Sequence, residues 1–115
     1  MYFADGSSAS APYRGFIEYS HNGDTLAFGS AGTTAAYFDN SQAFLPSSNN
    51  TRNLGSTSRR WANIYTNDLH LSNVGHTNDV DGTWGDWTIQ EGESDLFLKN
   101  NRSGKKYKFN LTEVS

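Results

Sequence analysis

Cysteine is absent from this chain, and methionine and proline are scarce, with one Met and two Pro in 115 residues. No disulfide framework and no thiol chemistry is therefore available, and redox usage leaves the compartment unread. Apolar runs are short. None approaches the ~20 residues of a membrane-spanning helix, and the N-terminus lacks the basic-then-apolar order of a secretory signal. The expectation is a chain that is soluble when made, without membrane insertion.

Positive charge is also in short supply. A formal net charge of −3 and a pI near 5.4 remove the electrostatic footprint on which nucleic-acid binding depends. The basic cluster Lys99, Arg102, Lys105, Lys106 and Lys108 surrounds a predicted hairpin turn. Lysine there guards an edge strand against unwanted pairing, with a phosphate or polyanion site as the alternative. Hydrophobic residues reach only 35 % and mean hydropathy is −0.70, which leaves little apolar area for a private core.

Aromatic and short polar side chains take up the remainder. Aromatics, at 14 %, carry most of the apolar area. Asn, Ser and Thr together make up roughly a third of the chain, a bias towards turns and polar strand faces. Disorder is the competing reading of such polarity, and the regular aromatic alternation opposes it. Large flat side chains with few Leu, Ile and Val suit thin β layers that complete their burial against another copy.

Three segments are expected. Residues 1 to 45 contain the strand-like runs Met1-Tyr2-Phe3-Ala4, Gly15-Phe16-Ile17-Glu18-Tyr19-Ser20, Thr25-Leu26-Ala27-Phe28 and Ala35-Ala36-Tyr37-Phe38. Asp5-Gly6, Asn22-Gly23 and Gly32 separate them, and Asn22-Gly23 predicts a type I′ turn with positive φ at both residues. Residues 46 to 73 hold a polar stretch, a turn at Gly55, the pair Arg59-Arg60 before Trp61, and an alternating strand with Leu69 and Leu71. Gly and clustered Ser/Asn leave room for at most one short helical turn there. Residues 74 to 115 begin with a loop of hinge character up to Gly85. A three-stranded antiparallel meander follows, in which Trp87/Ile89, Leu96/Leu98 and Tyr107/Phe109/Leu111 keep a period of two.

Trp61 is the natural anchor of the middle segment. A tryptophan buries on the order of 200 Å², and Arg59 or Arg60 can lie across its ring or reach a carboxylate. Packing inside a monomer core and packing at a seam between chains both remain open on these residues alone.

The order N-L-G-S-x-S-x-R-W-x-N-I-Y, met here from Asn53 to Tyr65, resembles a unit of bacteriophage tail-fibre and related virion proteins. The stretch Y-R-G-F-I-E-Y-S-H-N-G-D-T-L-A-F-G is similar to a strand-turn-strand module of phage fibre shafts, and residues 85 to 114 resemble the C-terminal ends of marine and T4-like phage fibre proteins. The resemblance covers most of the chain and implies an all-β, intertwined trimeric fibre or knob located in the virion, with other virion proteins as partners and host attachment as its role. It favours a seam between chains for Trp61, and the low apolar content with concentrated aromatics predicts that three copies bury Trp61, Tyr65, Tyr107, Phe109 and Leu111 together. Long fibres of this kind carry an N-terminal attachment region, and many end in a self-cleaving chaperone domain. Met1 already lies in a shaft-like module, which leaves a fragment, a mature tip and a capsid-decorating or head-fibre subunit as readings.

No catalytic constellation emerges, and no cofactor is implied. Thr77-Asn78-Asp79-Val80-Asp81-Gly82 brushes against a calcium loop but lacks its first carboxylate and its final glutamate. His21, His70 and His76 have no zinc spacing. Glu91, Glu93 and Asp95 fall in a predicted turn, where solvated carboxylates are expected in place of a glycosidase pair. Neither a nucleophile elbow nor a phosphate-cradling glycine loop is present. If the chain binds a surface glycan or protein, exposed aromatics and loop polar groups supply the contacts, with Trp84, Tyr13, Asn78, Asp79 and Asp81 as candidates. A carbohydrate-binding or carbohydrate-active module is the reading from a different functional class.

Overall fold

Alternation of apolar and polar residues, interrupted by Gly, Asn and Asp, dictates strands joined by turns. In the computed structural model, which describes residues 1–3 and 14–115, the regular elements are all strands. They are β1 (Tyr2–Phe3), β2 (Gly15–Ser20), β3 (Thr25–Ser30), β4 (Thr33–Phe38), β5 (Phe44–Pro46), β6 (Leu69–Ser72), β7 (Asp86–Glu91), β8 (Leu96–Asn100) and β9 (Lys106–Lys108). The chain is all-β, with two antiparallel sheets of five and four strands. The described residues form two compact units, Met1–Arg60 and Trp61–Ser115. The expected turn at Asp5-Gly6 and the candidate Tyr13 lie outside the described residues.

In the first unit the strands follow one another across the sheet in chain order, β1 to β5. Antiparallel partners share a face, so the register Ile17↔Phe28, Tyr19↔Leu26, Leu26↔Phe38 and Phe38↔Phe44 gathers the large apolar residues on one side. Phe38 links the row, with ring centroids 6.2 Å from Phe28 and 4.9 Å from Phe44. Strand β5 has no counterpart in the sequence reading. It ends in Pro46, which has no N–H to give and is tolerated because β5 is the sheet's edge.

The turns differ from expectation in an informative way. Ser20 pairs with Thr25, the register that a turn centred on Asn22-Gly23 requires. Positive φ falls instead on Gly23 (95°) and Asp24 (50°), so the turn is not type I′ at Asn22. Side chains hold the alternative: the Tyr19 hydroxyl donates to Asp24 Oδ1 at 2.6 Å, and Ser20 Oγ donates to the Asn22 carbonyl at 3.2 Å. The pair of positive φ values that a two-residue hairpin needs occurs at Ala31 (50°) and Gly32 (81°), between the partners Ser30 and Thr33. Alanine resists this conformation by roughly 1 kcal/mol. Ala31→Gly should therefore raise stability by about 0.5–1 kcal/mol, read as a higher thermal midpoint; a lower midpoint would mean that the turn is not held at positive φ in solution.

The second unit is a four-stranded sheet in the order β6-β7-β8-β9. The three-stranded meander read from the sequence forms β7 to β9, and β6 adds a fourth strand by pairing Leu69 with Ile89 and Leu71 with Trp87. Ile89 continues across to Leu98 and Leu98 to Tyr107, giving one apolar face. Trp87 and Tyr107 lie 5.9 Å apart on it, centroid to centroid. The other face carries His70, Thr88, Phe97, Lys99, Lys106 and Lys108. There Thr88 is 3 % exposed. Its hydroxyl lies 3.0 Å from His70 Nδ1 and accepts from Asn101 Nδ2 at 3.0 Å.

Burial is thin throughout. Among the described residues no large side chain is fully enclosed, and Leu69, Leu71 and Tyr107 each keep close to half of their surface exposed. The edge strands are short: β1, β5, β6 and β9 have two, three, four and three residues, whereas the inner strands have five or six.

Candidate functional site

The loop from 73 to 85, between β6 and β7, is too long for a plain hairpin and has to supply its own order. Asn73 closes its base, its N–H bonding the Gly85 carbonyl at 3.2 Å while its Oδ1 accepts from Gly85 N at 2.7 Å. Asn78 organises the tip. Its Oδ1 accepts from Val80 N at 2.8 Å and Asp81 N at 2.9 Å, and its Nδ2 donates to Asp81 Oδ1 at 2.8 Å and to the Thr83 carbonyl at 2.9 Å. These bonds close the loop on itself. Short Asx side chains favour such local bonding because they reach their own backbone two or three residues on.

Asp81 completes the network. Its Oδ1 also accepts from Thr83 Oγ1 at 2.7 Å and Thr83 N at 3.1 Å. The Thr83 hydroxyl, followed by the Asn78 amide and the Thr83 N–H, holds the Asp81 carboxyl below the usual carboxylate range. A depressed folded-state pKa contributes stability that is fully present above the ordinary aspartate range and is lost as pH falls through the folded value. An NMR titration should place the Asp81 midpoint below that of an unstructured aspartate, with the Thr83 amide shift moving in step. Titration at the ordinary value would remove Asp81 from the network.

Beside this loop, the turn from 101 to 105 brings up Arg102. Asn100 Oδ1 accepts from the N–H groups of Arg102 at 3.0 Å and Ser103 at 3.3 Å, and Gly104 takes φ 76°. Arg102 then lies over the Trp84 ring, with Cζ 3.7 Å from the centroid, and donates from Nη1 to the Trp84 carbonyl at 2.8 Å. An exposed stack of this kind contributes ~0.5–1 kcal/mol. Between the loop and the turn lies an open groove of about 640 Å³, lined by Asn78, Asp81, Thr83, Trp84, Trp87, Asn100, Arg102 and Ser103 among others.

Three sequence candidates, Asn78, Asp81 and Trp84, therefore meet at one groove. Asp79 is exposed and stands outside the lining. Arg102, Asn100 and Trp87 were not among the candidates; Arg102 carried only the signal of a basic residue in a turn. The expected interface residues behave differently: Trp61 is 66 % and Tyr65 93 % exposed. Tyr107 lies on the apolar face of β9, while Phe109 and Leu111 follow the strand, Phe109 N donating to the Leu96 carbonyl at 3.0 Å. Glu91 ends β7, and Glu93 and Asp95 sit in the β7–β8 turn. Among the described residues no group of three His, Asp or Glu is placed to hold a metal.

In comparisons with known protein families, curated proteins and solved structures, the chain matches none of them.

Proposed function

We propose that this chain is a structural protein of a bacteriophage particle, a subunit of a tail fibre or fibre-like appendage that assembles as a homotrimer and contributes to host attachment. The observation that carries the reading is the mismatch between ordered sheets and missing enclosure. Two antiparallel sheets are present, yet no large described side chain is fully buried, and Trp61, Ile64, Tyr65 and Leu111 each keep about two thirds or more of their surface exposed. Apolar area of this kind is stabilised by burial at ~25 cal/mol per Å², and single-chain proteins seldom leave it open in quantity. Copies of the same chain supply the cover, in keeping with the phage-fibre resemblance of the stretch around Trp61.

Attachment is assigned to the groove beside Trp84. It offers indole surface, a guanidinium and a carboxylate on a framework of short turns, and loops on rigid scaffolds are where recognition commonly resides. The test is the position of the chain in intact particles, followed by electron microscopy with an antibody raised against it. Label confined to fibres or their tips is the expected result. Label spread over the capsid shell would replace the fibre role with shell decoration, and unlabelled particles would remove the protein from the virion.

A further inference from the structure

Hydrogen-bonding capacity around the groove is lopsided, and the imbalance specifies a ligand. Arg102 uses Nη1 on the Trp84 carbonyl, which leaves most of its five N–H donors unspent. Asn100 spends its Oδ1 on the turn, and its Nδ2 has no acceptor among the described residues. The Trp87 indole N–H has none either, and solvent reaches it. Ser103 Oγ accepts from Lys105 N at 3.2 Å and keeps its own proton. Arg102, Asn100, Trp87 and Ser103 thus bring donors to the groove's lining, which also holds the carboxylate of Asp81, whose Oδ1 is taken by the loop and whose Oδ2 carries no bond among the described residues.

We propose that this groove binds an acidic saccharide of the uronate type, with the sugar carboxylate on Arg102 and ring hydroxyls shared between Asp81 Oδ2 and the Asn100 amide. The inference rests on the attachment role assigned to the groove and narrows its ligand. A carboxylate is the acceptor that matches the planar guanidinium fork, pairing two N–H groups at once. The ligand must bring acceptors to Arg102 and a donor to Asp81, and a polyhydroxylated acid does both with its carboxylate and ring hydroxyls. Trp84 keeps 39 % of its surface exposed and Arg102 covers one side of its ring, so the CH face of a pyranose would stack on the exposed remainder. Gly85 keeps the indole N–H within reach, because a Cβ there would stand 3.0 Å from Trp87 Nε1.

The full-length chain would be titrated with a trigalacturonate and, separately, with its neutral galactose counterpart, following tryptophan fluorescence and calorimetry. Trigalacturonate should bind at least tenfold more tightly, and the preference should weaken as salt rises. Arg102→Gln should erase the preference while leaving weak binding of the neutral sugar; Arg102→Lys should keep only part of it. Gly85→Ala should weaken both sugars. Thermal melts of each variant separate lost recognition from lost folding, and an NMR map of the wild-type chain locates the shifts without any substitution. Equal affinity for the two sugars would overturn the acidic ligand while leaving glycan attachment in place. Binding of neither would overturn both. Binding of polyglutamate as tight as that of trigalacturonate would make the ligand an acidic peptide, and shifts outside the groove residues would overturn the site.

Discussion

Trp61→Ala is expected to lower the stability of the assembled protein by ~3–5 kcal/mol per chain, the range for removing a buried tryptophan. In the single chain Trp61 is 66 % exposed, and a substitution at such a position costs about 1 kcal/mol or less. The size of the effect therefore reports whether other copies cover the ring. Native mass spectrometry of the wild type should give three times the 12.7 kDa chain mass, with a melting transition that rises with concentration. The variant should dissociate at concentrations where the wild type remains whole, while circular dichroism of its strands persists. A monomeric wild type, or a variant with an unchanged melt, would remove Trp61 from any interface and reopen its ring to ligand stacking.

Asn78→Ala should release the loop from 78 to 83. The substitution deletes the bonds from Val80 N and Asp81 N to Oδ1 and those from Nδ2 to Asp81 and the Thr83 carbonyl. Each is partly matched by water, so a net ~0.5 kcal/mol apiece applies, a local loss of about 2 kcal/mol. Hydrogen exchange at the Val80, Asp81 and Thr83 amides should quicken by roughly 30-fold, with the β7 and β8 amides unaffected. Asn78→Asp tests the donor half of the role. It sets a carboxylate where the amide now stands 2.8 Å from Asp81 Oδ1, replacing that bond by repulsion between like charges, so exchange at the Asp81 and Thr83 amides should quicken. Unchanged exchange in both variants would show that the loop owes its order to other contacts.

Strand parity was legible from sequence because it depends on residue type at a period of two. Trp87, Ile89, Leu98 and Tyr107 share a face as their alternation requires. Short edge strands were not: β5 offers three residues, one of them Pro46, and carries too few positions for a period. The exact φ of the Asn22-Gly23 turn escaped because Tyr19 and Ser20 bond into it from outside the dipeptide. At the groove, local chemistry marked Asn78, Asp81 and Trp84, whereas Arg102 needed arithmetic across a hairpin. With Trp87 opposite Asn100, two further steps along each strand bring residue 85 alongside residue 102. That pairing follows only once the four-residue β7–β8 turn fixes the register.

The taper of both sheets sets how such a chain can combine with others. A strand edge is an indiscriminate template, since any backbone offers it the same N–H and C=O groups. Here the outermost strands are the briefest, one finishes in proline, and β9 brings lysine to either side of Tyr107. Addition of foreign strands, the route to open-ended fibrils, is thereby discouraged at the very margins where it would begin. In the proposed trimer, association would be left to the aromatic faces, whose side-chain relief differs from one protein to the next, so such a surface would be sticky toward its own copies and still selective among neighbours.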